Sequence, residues 1–357
     1  MVTLDDIILP DFWESDRALV MDGNSDLQNW VAGQAALQGH LLFRTSGSTG
    51  LMKWIALSRA ALQWSAERVV DYLKITPEDN LALALPVHHV GGFGLVARAQ
   101  VAHCCLSEFA ERWSPEGFGD FCEQEKVTLT SLVPTQVRDL VAAGKSAPGS
   151  LRAAIVGGGS CSPDLATEAR ALGWPILASY GMTETASQIA TQVSGSEGDL
   201  PLIPGWEARI ENQRLAVRGE GLLSGIVTSS DSSFELNDPK KEGWFLTSDL
   251  AQITENGIRI LGRHDRRVKI LGELVDLDAL EKFWLQKTGG PAAVIAIPDK
   301  RRGQNLHLFL EEKAAVEGIN QSLPGPERVH SWTYRKPLAR TPLGKLDRSV
   351  MTRFHLD

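Results

Sequence analysis

Short apolar runs alternate with amphipathic stretches through the first half of the chain. Residues 41–44, 81–85, 127–133, 151–156 and 176–179 have the length and composition of buried strands. Between them, Ser58 is placed to cap a helix running to about Leu73, Pro134 to open one through Val141, and Pro163 another through Leu172. The alternation predicts a layered α/β domain. From residue 206 to 260 the pattern shifts to short strands separated by Gly, Asn and Asp, and Asn256-Gly257 between two β-like runs marks a hairpin. After Gly262 comes the charged run Arg263, His264, Asp265, Arg266, Arg267, then a helix over 277–285, strands over 293–297 and 306–310, and a terminal helix. The expected organisation is a large α/β domain with a β-rich subdomain over 1–262 and a small α+β domain over 263–357.

Composition narrows the classes. At 357 residues, 43% hydrophobic and 22% charged, the chain has room for about two domains and is neither disordered nor collagen-like. A net charge of -8 disfavours a general attraction to nucleic acid or to an anionic membrane. The longest apolar stretch, 81–106, is interrupted by Pro86, His88, His89, Arg98 and His103, so no membrane span is expected. Residues 1–13 carry three acidic residues and no basic one, unlike a secretion signal, which predicts a cytoplasmic protein. Cys104, Cys105, Cys122 and Cys161 lack CxxC spacing, so thiols are expected rather than zinc or disulfides.

The sharpest local signal is Thr45, Ser46, Gly47, Ser48, Thr49 and Gly50, followed by Lys53, directly after a predicted strand. Hydroxyls, unencumbered N–H groups and one lysine make a cradle for phosphate oxygens, although the spacing is not that of a Walker loop. Gly157, Gly158 and Gly159 stand at one predicted strand end, and Tyr180, Thr183 and Glu184 at another. Open α/β sheets bind ligands outside the carboxyl ends of their strands, so these groups are candidates to face one pocket. Taken singly, each has an ordinary reading as a turn glycine, a core aromatic or a helix-start carboxylate.

Their order changes the weight. The phosphate loop, the YGMTE run at 180–184, the segment GWFLTSD at 243–249, the segment from Gly262 and Arg263 through Lys269 to Gly272, and PLGK at 342–345 resemble, in sequence order, the motifs of the acyl-adenylate-forming superfamily. Within it, YGMTETASQ at 180–188 and PVHHVGGFGLVAR at 86–98 most resemble the o-succinylbenzoate-CoA ligases of menaquinone biosynthesis. The resemblance implies an acyl-adenylate-forming synthetase fold in which the carboxyl-terminal domain is a mobile lid. It also implies two reactions at one site: a carboxylate attacks the α-phosphate of ATP to give acyl-AMP and pyrophosphate, and the thiol of coenzyme A then displaces AMP. By that resemblance, Thr45 to Gly50 with Lys53 hold the outer phosphates, Thr183 contacts the α-phosphate and Glu184 helps hold Mg²⁺. Tyr180 stacks on adenine beside Gly157, Gly158 and Gly159, Asp249 and Arg263 take the ribose, and Asp265 is the hinge. Lys269 and Gly272 line the coenzyme A tunnel, and Lys345 delivers its ammonium to the first step. His89, Gly91, Gly92, Arg98 and Ser187 line the acyl pocket, with Arg98 the candidate for holding a second carboxylate of an aromatic acid.

Three positions depart from the superfamily pattern. Trp54 brings bulk after the phosphate loop, Ser248 replaces a usual glycine, and Arg266 replaces a usual acidic residue. Only 44 residues precede Thr45, so the front of the large domain is expected to be trimmed, with part of the exposed flank covered either by some of the ten tryptophans or by the second subunit of a homodimer. Two other readings compete within the resemblance: a ligase for another aromatic or short acid, and an inactive member that only binds. A cysteine acyl transferase built on Cys104-Cys105 beside His103 is the third, disfavoured because adjacent helical residues do not face each other.

Overall fold

The computed structural model describes residues 2–45, 52–193, 198–230, 233–299, 301–341 and 344–356. The chain divides into two compact units: 1–209 with 216–246 and 253–259, and 260–357 with 210–215 and 247–252. Among the described residues no helix is long and apolar enough to cross a membrane.

The first unit is built on a six-stranded sheet ordered Cys105–Glu108, Asn80–Leu83, Leu129–Leu132, Ala153–Val156, Ile176–Met182, Ser187–Thr191. The first five are parallel and the last pairs antiparallel with its neighbour. The helices joining the strands start where their sequences provide caps. The Ser58 hydroxyl accepts the Ala61 N–H at 3.0 Å to open Arg59–Leu73, and the Ser162 hydroxyl accepts the Leu165 N–H at 3.3 Å to open Pro163–Ala171. Each such cap stabilises its helix by about 1 kcal/mol. Helices Pro115–Gln124, Pro134–Ala142 and Pro163–Ala171 bury Phe118, Cys122, Val137, Leu140 and Leu165 with Ala82, Leu132, Ala154, Val156 and Ile176 of the strands. Arg59–Leu73 and Val90–Ala102 take no part in that cluster; they pack on each other and on strands of the same sheet. The sheet is thus an internal layer, and its central strands Leu129–Leu132 and Ala153–Val156 are buried throughout because both faces are covered.

A second, five-stranded sheet in this unit runs Leu19–Val20, His40–Thr45, Lys53–Ser58, Gly225–Ser230, Ser233–Asn237. At its edge the Gln28 amide stands in for a missing strand: Oε1 accepts the Val20 N–H at 2.9 Å and Nε2 donates to the Ala18 carbonyl at 3.0 Å. The amino-terminal helices Leu4–Ile7 and Pro10–Glu14 bury Ile7, Phe12 and Trp13. Buried Arg59 holds them by donating to the carbonyls of Phe12 and Arg17 at 2.5 and 2.9 Å.

The second unit contains a three-stranded sheet ordered Ala292–Asp299, Gly303–Leu310, Ser331–Tyr334. Alternate residues serve two cores, as the two-residue period of a strand requires. Val294, Leu306, Leu308 and Leu310 pack with Leu280 and Trp284 of helix Leu277–Thr288, whereas Ala293, Ile295 and Phe309 pack with Met351 of helix Arg348–Leu356. Strands Glu207–Glu211, Arg214–Arg218, Phe245–Thr254 and Gly257–Arg263 form the β-rich part, with Asn256-Gly257 at the hairpin, and their residues are divided between the units.

Candidate active site

The parallel strands, numbered by chain order, lie 2-1-3-4-5, so the direction of winding reverses between Asn80–Leu83 and Leu129–Leu132. A crevice opens outside the carboxyl ends of the strands at such a reversal. The predicted residues emerge on that edge: His89, Gly91 and Gly92 after the first strand, Gly157, Gly158 and Gly159 after the fourth, and Thr183 and Glu184 after the fifth. Gln136 ties the reversal together, its Oε1 accepting the Val133 N–H at 3.0 Å and its Nε2 donating to the Ala84 carbonyl at 3.4 Å. Sequence reading passed over Gln136, although a glutamine at the third position of a helix opened by proline is a capping signal.

The YGMTE run owes its shape to close backbone approach. A bulge interrupts the pairing between Tyr180 and Gly181, and a Cβ on Gly181 would lie 2.1 Å from the Ser187 carbonyl oxygen, which no side chain tolerates. Thr183–Thr185 form a short 3₁₀ turn, closed by Ala186 at a φ of 56°. Buried Thr185 locks it: its hydroxyl donates to the Ser187 carbonyl at 2.7 Å and accepts the Met182 N–H at 3.1 Å. Thr185 is a second residue that sequence reading missed. The turn presents Thr183 and Glu184, and the Glu184 carbonyl accepts the Leu223 N–H at 2.8 Å. In the neighbouring strand end, the Gly157 N–H donates to the Leu132 carbonyl at 3.1 Å, and a Cβ there would sit 2.9 Å from the Ser179 hydroxyl, one residue before half-buried Tyr180. Gly158 holds a φ of 75°, and Gly159 faces Pro134.

The acyl-pocket candidates occupy helix Val90–Ala102, whose first turn starts as the His89 carbonyl accepts the Phe93 N–H at 2.9 Å. A Cβ on Gly92 would lie 2.4 Å from the Pro86 carbonyl, whereas Gly91 has ordinary room against Leu85. The His88 and His89 rings are 4.4 Å apart, and burial pushes the His88 imidazole below its usual pKa. Arg98 is only 2% exposed. Its Nη2 donates to the Ser187 hydroxyl at 2.7 Å, and its Nε is buried without a hydrogen-bond partner among the described residues. Among those residues no carboxylate pairs with it, and burial alone pushes its pKa down to about 10, so the guanidinium is still charged at neutral pH. A cation desolvated without a counter-ion is costly and is a candidate anion-binding group. Phe93, between Gly92 and Arg98 on this helix, packs against Phe12, Trp13 and Phe43, which fixes the helix from the amino-terminal side.

Thr45 and Lys53 are directly paired across an antiparallel ladder, so the loop between them leaves and re-enters at one point. Ser46, Gly47, Ser48, Thr49 and Gly50 lie outside the described residues. The bulk that Trp54 was expected to bring to this loop is instead inside the core: its ring is fully buried, and Nε1 donates to the Asp22 carboxylate at 3.1 Å. The Cys104 thiol is pushed up to about 11 by burial, which leaves little thiolate for the nucleophile of an acyl transferase.

In the second unit, Asp249 is buried, and its N–H donates to the Thr247 hydroxyl at 3.0 Å. Arg263 meets Asp249 at 3.5 Å but is gripped in bidentate fashion by Asp265 at 2.8 and 2.6 Å, and these bonds raise its pKa. Arg266, next to Asp265, donates to Asp278 at 2.9 Å and to buried Glu281 at 2.6 Å, and Arg348 forks onto the same Glu281. The departure at Arg266 thus supplies an ion pair within the unit. Exposed Lys269 lies in strand Arg267–Ile270, and Gly272 turns at a φ of 87° into Glu273–Asp276. Lys345 is exposed, and its carbonyl accepts the Thr341 N–H at 2.7 Å, closing the turn that carries it; Pro342 and Leu343 lie outside the described residues.

Comparison with known proteins places the chain by family and fold. The 2-succinylbenzoate–CoA ligase of Bacillus licheniformis is 28% identical over 324 residues, 86% of this chain and 66% of its own length. That of Salmonella typhimurium is 30% identical over 278 residues, 77% of this chain and 59% of its own. The chain therefore spans less than two thirds of the length of these relatives. The o-succinylbenzoate CoA synthetase (MenE) of Bacillus subtilis, in complex with the acyl-adenylate intermediate OSB-AMP, superposes with a TM-score of 0.74 at 25% identity, covering 87% of this chain and 68% of that one. ATP-bound MatB of Rhodopseudomonas palustris shares the fold with a TM-score of 0.76 at 24% identity, over 91% of this chain and 69% of that one. The fold is that of the acyl-adenylate-forming synthetases. A family profile described as AMP-binding enzyme matches residues 36–225, more than half of the chain, and the protein belongs to that family.

Proposed function

We propose that the protein is an AMP-forming acid–thiol ligase that joins o-succinylbenzoate to coenzyme A through an acyl-AMP intermediate, as a step of menaquinone biosynthesis. The observation that carries this reading is buried, carboxylate-free Arg98, bonded to Ser187 at 2.7 Å, four residues from Thr183. A dicarboxylic acid presents one carboxyl for activation and leaves a second that a guanidinium matches in bidentate geometry. Gly157, Gly158, Gly159 and Tyr180 form the adenine side, Thr183 meets the α-phosphate, and Thr45 to Gly50 with Lys53 hold the outer phosphates. Asp249 and Arg263 take the ribose, and His89, Gly91, Gly92, Arg98 and Ser187 surround the acyl group.

The donor set suits Mg²⁺. Among the described residues no three His, Cys, Asp or Glu side chains form a metal cage, and a hard ion held by one carboxylate and by substrate phosphates needs none. Glu184 is the carboxylate that would hold it, and the ion supplies neutralisation of charge on the phosphates. In the first step the acid's carboxylate oxygen bonds to the α-phosphorus and pyrophosphate leaves, while Thr183 and Lys345 stabilise the added negative charge. In the second, the coenzyme A sulfur bonds to the acyl carbon, AMP leaves and the thiol proton goes to solvent. The body over 1–262 and the lid over 263–357, hinged near Asp265, alternate between these steps, with Lys269 and Gly272 beside the thiol's path. The protein acts in the cytoplasm, as a homodimer.

Coenzyme A thioester formation with o-succinylbenzoate against benzoate tests the reading. A large preference for the dicarboxylate is expected; comparable turnover of both would overturn the role of Arg98.

A further inference from the structure

We infer that Gly94 is a positioning residue for the acyl site, setting the place of the Arg98 guanidinium by leaving room for the Ser187 hydroxyl. Gly94 lies four residues before Arg98 on helix Val90–Ala102, so the two share a face. A Cβ at position 94 would sit 2.9 Å from Ser187 Oγ, 3.3 Å from Ser187 Cβ and 3.4 Å from Arg98 Nη2. The last distance is ordinary contact; the first is one that side chains do not keep. The space beside Gly94 is therefore the space in which Arg98 and Ser187 meet.

Neither neighbour can simply withdraw. Ser187 opens strand Ser187–Thr191, is paired with Met182, and has its carbonyl held by the Thr185 hydroxyl at 2.7 Å against the close approach of Gly181. Arg98 is fully buried, and Ser187 is its one hydrogen-bond partner among the described residues. A methyl at position 94 must turn the Ser187 hydroxyl or displace the guanidinium, and either breaks their 2.7 Å bond. Alanine is the better helix former, so a glycine in mid-helix costs helix stability and calls for a local reason. Contact with Ser187 supplies it.

This inference rests on the reading of Arg98 as the holder of a second carboxylate, and its test separates the two. For Gly94→Ala, the KM for o-succinylbenzoate is expected to rise about tenfold or more, while the KM for ATP and kcat at saturating acid stay within about twofold. In a Ser187→Gly background, which removes both Ser187 atoms in the way, adding Gly94→Ala should produce no further rise, so the effects are non-additive. A rise in both KM values together, no rise, or the same tenfold effect persisting over Ser187→Gly would each overturn the role of Gly94. Arg98→Ala on the same assays tests the underlying reading: an unchanged KM for o-succinylbenzoate would remove it, whereas a raised one beside an unaffected Gly94→Ala would remove only the role of Gly94. If Gly94→Ala alone does not fold, the double variant should fold and match Ser187→Gly; failure to do so also overturns the inference.

Discussion

The hydroxyl of Thr185 donates to the carbonyl of Ser187 at 2.7 Å and holds together the two ends of a turn that carries Thr183 and Glu184. A buried hydroxyl that both donates and accepts cannot be replaced by a methyl without leaving main-chain groups unsatisfied. Thr185→Val, which keeps the volume, should lower unfolding free energy by about 1–3 kcal/mol in urea titrations. Pyrophosphate release should slow with it, because the turn sets where Thr183 and Glu184 point.

Arg98 sets stability against recognition. Replacing a buried unpaired cation by a hydrophobic residue of similar length removes a desolvation cost, so Arg98→Met should leave the ligand-free melting temperature unchanged or raise it. Addition of o-succinylbenzoate should stabilise the parent protein and not the variant. A variant that melts well below the parent would show that the guanidinium is satisfied by groups other than Ser187.

Glu281 is a buried carboxylate shared by Arg266 and Arg348. Removing it alone leaves Arg348 without its carboxylate, Arg266 with Asp278 only and the buried Val294 N–H without its acceptor, so Glu281→Ala should destabilise the second unit by about 3 kcal/mol, read by chemical denaturation. Arg266→Met, Glu281→Leu and Arg348→Met together should recover the charge part of that loss but not the bond that Glu281 Oε1 accepts from the buried Val294 N–H at 2.9 Å. A triple variant no more stable than Glu281→Ala would mean that charge balance contributes nothing.

His307 is almost fully buried between the hydroxyls of Ser331 at 2.7 Å and Thr333 at 3.1 Å, with the His355 ring 4.3 Å away. Burial, and secondarily His355, hold its pKa at about 4, below the ordinary 6.5. The folded state therefore favours the neutral ring. Above pH 6.5 neither folded nor unfolded chain binds this proton; as pH falls from 6.5 to 4 only the unfolded chain takes it up, and stability declines by up to about 3 kcal/mol. Urea midpoints of the second unit should fall over this range, and His307→Asn should flatten the fall.

Lys345 lies in a turn closed by the bond from the Thr341 N–H to its own carbonyl, a main-chain bond that an alanine keeps. Lys345→Ala should slow adenylation by about 10²–10³-fold, in line with the loss of other charge-stabilising donors. Conversion of supplied acyl-AMP to the thioester should persist. Equal loss in both half-reactions would assign the ammonium to a part common to both.

Much of the fold was legible because its signals are local. Ser58, Pro134 and Pro163 mark helix starts within a residue, and a strand such as Ala153–Val156, buried on both faces, stands out as an apolar run. The candidate site was legible in its residues but not in its bonds. Arg98 and Ser187 are 89 positions apart, and nothing near either reveals the other. Gly94 looks like any small residue in an apolar helix until Ser187 stands opposite it. Thr185 acts on main-chain atoms brought together by a bulge, which has no side-chain signature. Trp54 misled because strand residues reveal their spacing but not which face another sheet or helix will cover.

The amide of Gln28, bonded to the Val20 N–H and the Ala18 carbonyl along the outer edge of the sheet, bears on how copies of the protein meet. An open strand edge invites another chain to extend the sheet, which is a common route to aggregation. Here the donor and acceptor that a visiting strand would use are already taken by one side chain. Strand addition at this edge is therefore blocked, and Gln28→Ala would expose a short adhesive edge, detectable as concentration-dependent self-association in light scattering.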